Sequence, residues 1–191
     1  YWGGGTEGPS GLSTVNRIDY SSDTGTTPTK GPLSSAREAL FGFGNSSYGY
    51  FGGDYPGSIT TIDRIDYSND TATASVKGPL DEGRRSSGGV ASASGYGYAI
   101  GGTPSSSPST SSISRVEFAN DTVLASIRGP LTHVRNYLGA TSSRANALPI
   151  IGSTVSEFTN IVTRQNYPSS QRGYFGGGNN PTVPVSYTHL T

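Results

Sequence analysis

The chain has 191 residues, room for one or two ordinary domains. Apolar residues make up only 31 %, and the 28 glycines and 12 prolines approach low-complexity levels, yet 12 tyrosines and 6 phenylalanines supply apolar surface that a disordered chain lacks. Thirteen basic residues balance thirteen acidic ones, which leaves no net field to attract nucleic acid or an anionic membrane, and the absence of cysteine excludes disulfides, zinc–thiolate sites and thiol catalysis.

Tyr1-Trp2-Gly3-Gly4-Gly5 opens the chain in the middle of a pattern that recurs further on, and no methionine occurs anywhere. The chain is therefore expected to be an internal piece of a longer protein. No run approaches 18 apolar residues, so no helical membrane span is expected.

The pattern itself reads Arg-Ile-Asp-Tyr-Ser-Ser-Asp-Thr from Arg17, Arg-Ile-Asp-Tyr-Ser-Asn-Asp-Thr from Arg64 and Arg-Val-Glu-Phe-Ala-Asn-Asp-Thr from Arg115. Gly-Pro-Leu follows each copy at Gly31, Gly78 and Gly129, and an arginine stands four residues beyond each leucine, at Arg37, Arg84 and Arg135. The steps between copies are 47 and 51 residues, a period that belongs to propellers and other repeat arrays.

Within the clearest copy, residues 84–94 are small and polar with scattered apolar positions, and predict a first strand. Residues 96–100 form a short aromatic–apolar run ending in Gly101-Gly102. A Ser/Pro-rich loop follows, and residues 113–118 alternate apolar and polar, the period of a half-buried strand. Asn120-Asp121 predicts a turn, residues 123–127 alternate again, and Gly129-Pro130 ends the unit. Four short antiparallel strands per repeat describe one propeller blade. The expected division is a partial blade at 1–33, blades at 34–80 and 81–131, and a degenerate or truncated unit at 132–184. That last unit lacks both the Asn-Asp-Thr turn and Gly-Pro-Leu, and is either a shorter variant or a mis-assembly.

These units resemble the kelch repeat of galactose-oxidase-like propellers. The family pattern has an arginine opening the innermost strand, a strand ending in Gly-Gly and then a Tyr-Asp-type strand. Arg37, Gly52-Gly53 and Ile65-Asp66-Tyr67 match it, as do Arg84, Gly101-Gly102 and Val116-Glu117-Phe118. The family's tryptophan is missing, with Thr73 or Val123 near its place. The phrasing also resembles repeats in predicted tail or fibre proteins of marine bacteriophages. Residues 185–191 resemble the translation of a sequencing-library adapter and are set apart from the fold. The resemblance implies an all-β, kelch-like β-propeller fragment of about four repeats, and a virion or extracellular setting.

The glycine pairs at Gly52, Gly53, Gly101 and Gly102, and Gly31, Gly78 and Gly129, read as structural, since none sits in a G-x-G-x-x-G turn before a helix. The sequons at Asn45, Asn69 and Asn120 read as turns. The acids Asp19, Asp66 and Glu117 read as solvated or paired strand charges. Arg37, Arg84 and Arg135 have two readings: convergence toward a central channel to bind an anion or sugar, or bonds to neighbouring carbonyls that tie blade to blade. One histidine outside the terminal tail, His133, builds neither a catalytic triad nor a copper site, so no catalytic residue, metal site or cofactor is expected.

The leading expectation is a non-enzymatic interaction or structural module. It binds a protein or a glycan through the loops after the glycine pairs, with Tyr55, Ser58, Ser105 and Ser106 as contacts and no nucleic-acid or membrane partner. The longer protein is open to homo-oligomerisation. The alternative is a piece of a galactose-oxidase-like or carbohydrate-active propeller enzyme whose catalytic residues lie outside this chain.

Overall fold

The computed structural model describes residues 1–106 and 108–142, all within one compact unit, Tyr1–Pro149. The expectations for the degenerate unit beyond residue 142 and for residues 185–191 lie outside the described residues.

The described chain is all-β, built from small antiparallel sheets. The first repeat contributes β1 (Trp2–Gly3), β2 (Thr6–Glu7), β3 (Ser10–Gly11), β4 (Val15–Asn16) and β5 (Thr29–Lys30). Its main sheet runs β1-β4-β5, and β2 and β3 pair with each other. The second repeat is a four-stranded meander of β6 (Phe41–Gly44), β7 (Tyr48–Gly52), β8 (Ile62–Asp66) and β9 (Ser75–Lys77). The third has β10 (Arg84–Arg85), β11 (Gly88–Ser92), β12 (Tyr96–Ile100), β13 (Thr103–Pro104), β14 (Ile113–Glu117) and β15 (Ser126–Arg128). Here β11-β12-β14-β15 form the meander and β10 pairs with β13. The only helical segments among the described residues are two three-residue 3₁₀ turns, Tyr67–Asn69 and Phe118–Asn120.

Strand alternation drives the packing of sheet on sheet. In β6, Phe41 and Phe43 are buried and Gly42 is exposed. Strand β7 is covered on both faces. Tyr50 joins Phe41, Phe43, Ile62 and Leu80 against Ala99, Val116 and Ala125 of the third repeat. Its neighbour Phe51 points the other way, with Ile65 and Ala74, onto Val15 and Leu33 of the first repeat. The apolar cores thus lie between repeats, and no single sheet buries its own apolar face. Burial of each large side chain contributes about 1.5–3 kcal/mol. Strands β6 and β11 pack directly, with Gly42 and Gly89 in backbone contact.

A polar joint repeats at each boundary. At the first, Tyr1 stacks on Tyr67 with centroids 4.8 Å apart, and the Tyr1 hydroxyl donates to Asp70 Oδ2 at 2.6 Å. Arg17 Nη1 reaches the same oxygen at 2.8 Å, and Lys30 Nζ lies 3.2 Å from Oδ1. The Gly31 N–H donates to the Asp70 carbonyl, and the Ala74 N–H to the Pro32 carbonyl, both at 2.8 Å. At the second boundary, Tyr50 stacks on Phe118 at 5.1 Å and donates to Asp121 Oδ2 at 2.9 Å. Arg64 and Lys77 approach the same carboxylate at 2.7 and 3.8 Å. The backbone bonds repeat too, the Gly78 N–H donating to the Asp121 carbonyl and the Ala125 N–H to the Pro79 carbonyl. One repeat supplies the tyrosine, arginine and lysine, and the next supplies the stacking ring and the aspartate.

Three expectations need correction. The last strand of the third repeat is Ser126–Arg128, shorter and later than the alternation at 123–127 predicts, and Val123 and Leu124 are exposed. The cause is the joint, because the Ala125 N–H is spent on Pro79 of the neighbouring repeat and not on its own sheet. The arginines do not open the meander strands: Arg37 and Arg84 precede β6 and β11 by four residues, and Arg84 instead begins the two-residue β10. The glycine pairs are also out of step with each other. Sheet register sets Gly52 opposite Ile62 and Ile100 opposite Ile113, so Gly53 is the counterpart of Gly101, and both have positive φ (88° and 58°).

Candidate functional site

The loop after β7 and the loop carrying β13 meet along one edge. The Ser58 N–H donates to the Asp54 carbonyl at 2.9 Å, and Asp54 Oδ1 accepts from the Glu38 N–H at 3.1 Å. Ser58 Oγ donates to the Thr103 carbonyl at 3.2 Å. Arg85 Nη1 donates to Ser58 Oγ at 2.8 Å and lies 3.4 Å from the Pro56 carbonyl. The Arg85 guanidinium also sits over the Tyr55 ring, 5.0 Å from its centroid. Arg85 is positioned in turn by pairing with Thr103 in the β10–β13 ladder. The two loops therefore form one hydrogen-bonded edge across the second and third repeats.

Of the residues expected to contact a ligand, Tyr55 is 51 % exposed, and Ser105 and Ser106 are exposed on the adjoining loop. Ser106 Oγ donates to Glu82 Oε1 at 3.4 Å. Ser58 is buried and is a fastener between the loops, not a surface contact.

The three arginines separate into two cases. Arg37 is buried, with Nη2 3.0 Å from Asp63 Oδ2, 3.0 Å from Ser34 Oγ and 3.2 Å from Ser35 Oγ. Its Nη1 faces the Thr61 carbonyl at 3.4 Å. Arg84 is also buried and donates from Nη1 to the carbonyls of Gly101 and Ser112, at 3.3 and 3.2 Å. Burial pulls its guanidinium down from the ordinary value, opposed by Asp81 and Glu82. These side chains lock the inter-repeat connection to their own repeat. The tie to the preceding repeat runs through backbone instead, as Arg37 N–H to the Leu12 carbonyl and Arg84 N–H to the Ile59 carbonyl. Arg135 keeps the backbone part, donating to the Thr110 carbonyl, and its side chain is exposed.

The recurrent acids have a local task. Asp66 Oδ1 accepts from the N–H and Oγ of Ser68 at 2.9 and 2.6 Å, and Asp19 accepts likewise from Ser21. These bonds hold both carboxyls below the usual range. Glu117 makes no such cap, since Ala119 replaces the serine. Asn45 is also a turn residue, its Oδ1 accepting from the N–H groups of Ser47 and Tyr48.

The residues that sequence reasoning missed are Asp63 and the joint aspartates Asp70 and Asp121. A signal was present: tyrosine, arginine, lysine and aspartate recur together in each copy. No protein-family model matches the chain, and no curated protein matches it.

Proposed function

We propose that the chain is a non-enzymatic recognition module of kelch-like propeller blades, carried on a phage tail, fibre or other extracellular appendage. It binds a glycan through the edge formed by residues 54–57 and 103–106. The meander of each repeat, the face-to-face packing of successive sheets and the contact of β6 with β11 support the propeller reading.

The observation that carries the binding reading is Tyr55. It is a half-exposed ring on a loop fastened by the Ser58 N–H bond to the Asp54 carbonyl and by Arg85 bonds to Ser58 Oγ and the Pro56 carbonyl. An aromatic ring held rigidly offers a stacking surface at low entropic cost, and the adjacent Ser105 and Ser106 offer adaptable hydroxyls. Sugars present both an apolar C–H face and hydroxyls, so the pair suits them.

The test is binding of the intact chain to an immobilised glycan panel. Tyr55→Ala is expected to weaken capture by about 30-fold, the scale of a buried aromatic anchor. Exchange of Tyr55, Ser105 and Ser106 together for alanine is expected to abolish it with the circular dichroism spectrum unchanged. Glycan capture that survives the exchange overturns the site. Absence of glycan capture, with a protein partner lost on Tyr55→Ala, replaces the glycan by a protein.

A further inference from the structure

Tyr55 does not stand alone on the loop edge. The Arg85 guanidinium lies over one face of its ring, 5.0 Å from the centroid. Arg85 Nη1 donates to Ser58 Oγ at 2.8 Å and lies 3.4 Å from the Pro56 carbonyl. Pro56 follows Tyr55 directly and Ser58 is buried, so both anchors belong to the loop that carries the ring. Backbone pairing of Arg85 with Thr103 fixes where the side chain starts from. Arg85 therefore braces Tyr55 from behind. The ring is still 51 % exposed, which leaves the face opposite Arg85 for a ligand. A sugar lays its C–H face on one side of an aromatic ring, so a single open face suffices.

Charge along the edge adds a second constraint. Arg37 and Arg84 are engaged by Asp63 and Asp81. What remains on the segments that build the edge is Arg85 against Glu38, Asp54 and Glu82, two negative charges in excess. All three acids are partly exposed. Asp54 is the chain neighbour of Tyr55, and its Oδ1 accepts from the Glu38 N–H at 3.1 Å. Glu82 Oε1 accepts from Ser106 Oγ at 3.4 Å. One carboxylate thus stands beside the ring and another beside the exposed serines. A carboxylate on a ligand would meet an excess of its own charge, with Nη1 and the flat face of Arg85 already occupied.

We infer that the edge selects uncharged sugars over acidic ones, with Arg85 positioning Tyr55 and with Asp54 and Glu82 setting the preference. This selectivity rests on the glycan reading of the edge and supplies its sugar class. Arg85 holds the ring and leaves the ligand to Tyr55. Its planar guanidinium stacks on an aromatic face, as the compact ammonium of lysine does not. The two carboxylates act across solvent, so their effect is modest and is screened by salt.

The experiment measures the affinity of the full 191-residue chain for immobilised oligosaccharides in pairs, one member ending in a neutral hexose and the other in the corresponding uronic acid. The two differ only in a hydroxymethyl group or a carboxylate at C6. Wild type is expected to hold the neutral member at least about 5-fold more tightly at low ionic strength, and the ratio is expected to shrink as salt is added. Asp54→Asn/Glu82→Gln keeps both acceptor oxygens, removes both charges and is expected to bring the pair to within about 2-fold of each other. Arg85→Lys keeps the charge and loses the planar cover. It is expected to weaken both members alike by about 3-fold, the scale of an exposed cation–π contact. Uronates held as tightly as neutral sugars overturn the inference and leave glycan binding standing. So does a preference that Asp54→Asn/Glu82→Gln does not reduce, an Arg85→Lys chain that binds like wild type, or a loss on Arg85→Lys confined to uronates, which would make Arg85 the partner of an anion. Capture of neither member of any pair overturns the glycan reading itself and the selectivity with it.

Discussion

Tyr50 Oη donates to Asp121 Oδ2 at 2.9 Å across 71 positions of sequence, and the same oxygen takes Arg64 Nη1 at 2.7 Å. One carboxylate thus gathers three groups of the preceding repeat. Asp121→Asn keeps its shape and strips the charge that Arg64 and Lys77 face. Arg64 retains some solvent, so the expected loss is about 1–3 kcal/mol, below that of a fully buried pair. Tyr50→Phe removes one donor and leaves the carboxylate engaged by both cations, so about 1 kcal/mol is expected. Asp23→Asn, with no partner among the described residues, is expected to change folding stability by less than about 0.5 kcal/mol. Urea denaturation at low protein concentration checks the order of the three.

The same joint sets a pH dependence at the first boundary. Burial alone raises the Asp70 carboxyl, but the Tyr1 hydroxyl, Lys30 and Arg17 outweigh it and hold it below its ordinary value. A carboxyl depressed on folding stabilises the fold above its unfolded pKa, about 3.9, and that contribution is lost as pH falls through the lower folded value. The thermal midpoint is expected to drop on acidification below about pH 4, and less steeply in Asp70→Asn. At the other extreme, burial, with a smaller push from Tyr1, raises the Tyr67 phenol to about 12. The unfolded phenol ionises near 10, so from about pH 10 upward the unfolded state sheds a proton that the folded state keeps, and stability falls. Tyr67→Phe is expected to flatten that alkaline fall.

Local structure was legible in the chain because it is written in short-range alternation and turn chemistry. Residues 96–100 and 113–117 form strands where the pattern puts them, and Asn45 turns the chain as an asparagine should. The joints are marked only by the recurrence of tyrosine, arginine, lysine and aspartate from copy to copy, for a physical reason. The partners of Asp70 and Asp121 lie about one repeat away, so the recurring phrase records contact with the neighbouring copy and reads, locally, as an ordinary turn. Asp63 was hidden in Ile62-Asp63-Arg64-Ile65-Asp66, which alternates like an exposed-face strand although Asp63 is buried against Arg37. In the loop edge, Tyr55 was identifiable by type, whereas nothing local distinguishes the buried Ser58 from the exposed Ser105.

The buried arginines exchange their acid between repeats. In the second repeat Ser34 Oγ donates to Asp63 Oδ1 at 2.7 Å beside Arg37. In the third, the matching positions are Asp81 and Ser114, so carboxylate and hydroxyl have traded places, and Arg84 Nη2 lies 3.5 Å from Asp81 Oδ2. Removing Asp63 by Asp63→Ser strands a buried guanidinium and is expected to cost about 3–5 kcal/mol. The double variant Ser34→Asp/Asp63→Ser rebuilds the third-repeat arrangement in the second. It is expected to recover at least about 1 kcal/mol relative to the sum of the singles, the coupling typical of contacting residues. A double-mutant cycle by chemical denaturation reads this directly, and additivity would show that the two acids are not interchangeable.

Gly31 and Gly78 are glycines because the next repeat lies against them. A Cβ on Gly31 would collide with the Ala72 carbonyl, and one on Gly78 with the Val123 carbonyl. Both obstacles are backbone, and each sits at a joint where the glycine N–H donates to the facing aspartate carbonyl. Relief therefore requires the sheets to part, not a side chain to turn. Gly31→Ala and Gly78→Ala are each expected to cost about 1–3 kcal/mol, the scale of overpacking a closed interior. Gly129 has the same place in its motif but no neighbour among the described residues. Gly129→Ala is expected to leave the melting midpoint of the dilute chain unchanged within about 2 °C, the shift that a few tenths of a kcal/mol produces in a chain of this size. Calorimetry of the dilute variant checks this. Loss of thermal stability in the dilute variant would instead place a backbone partner for Gly129 within the same chain.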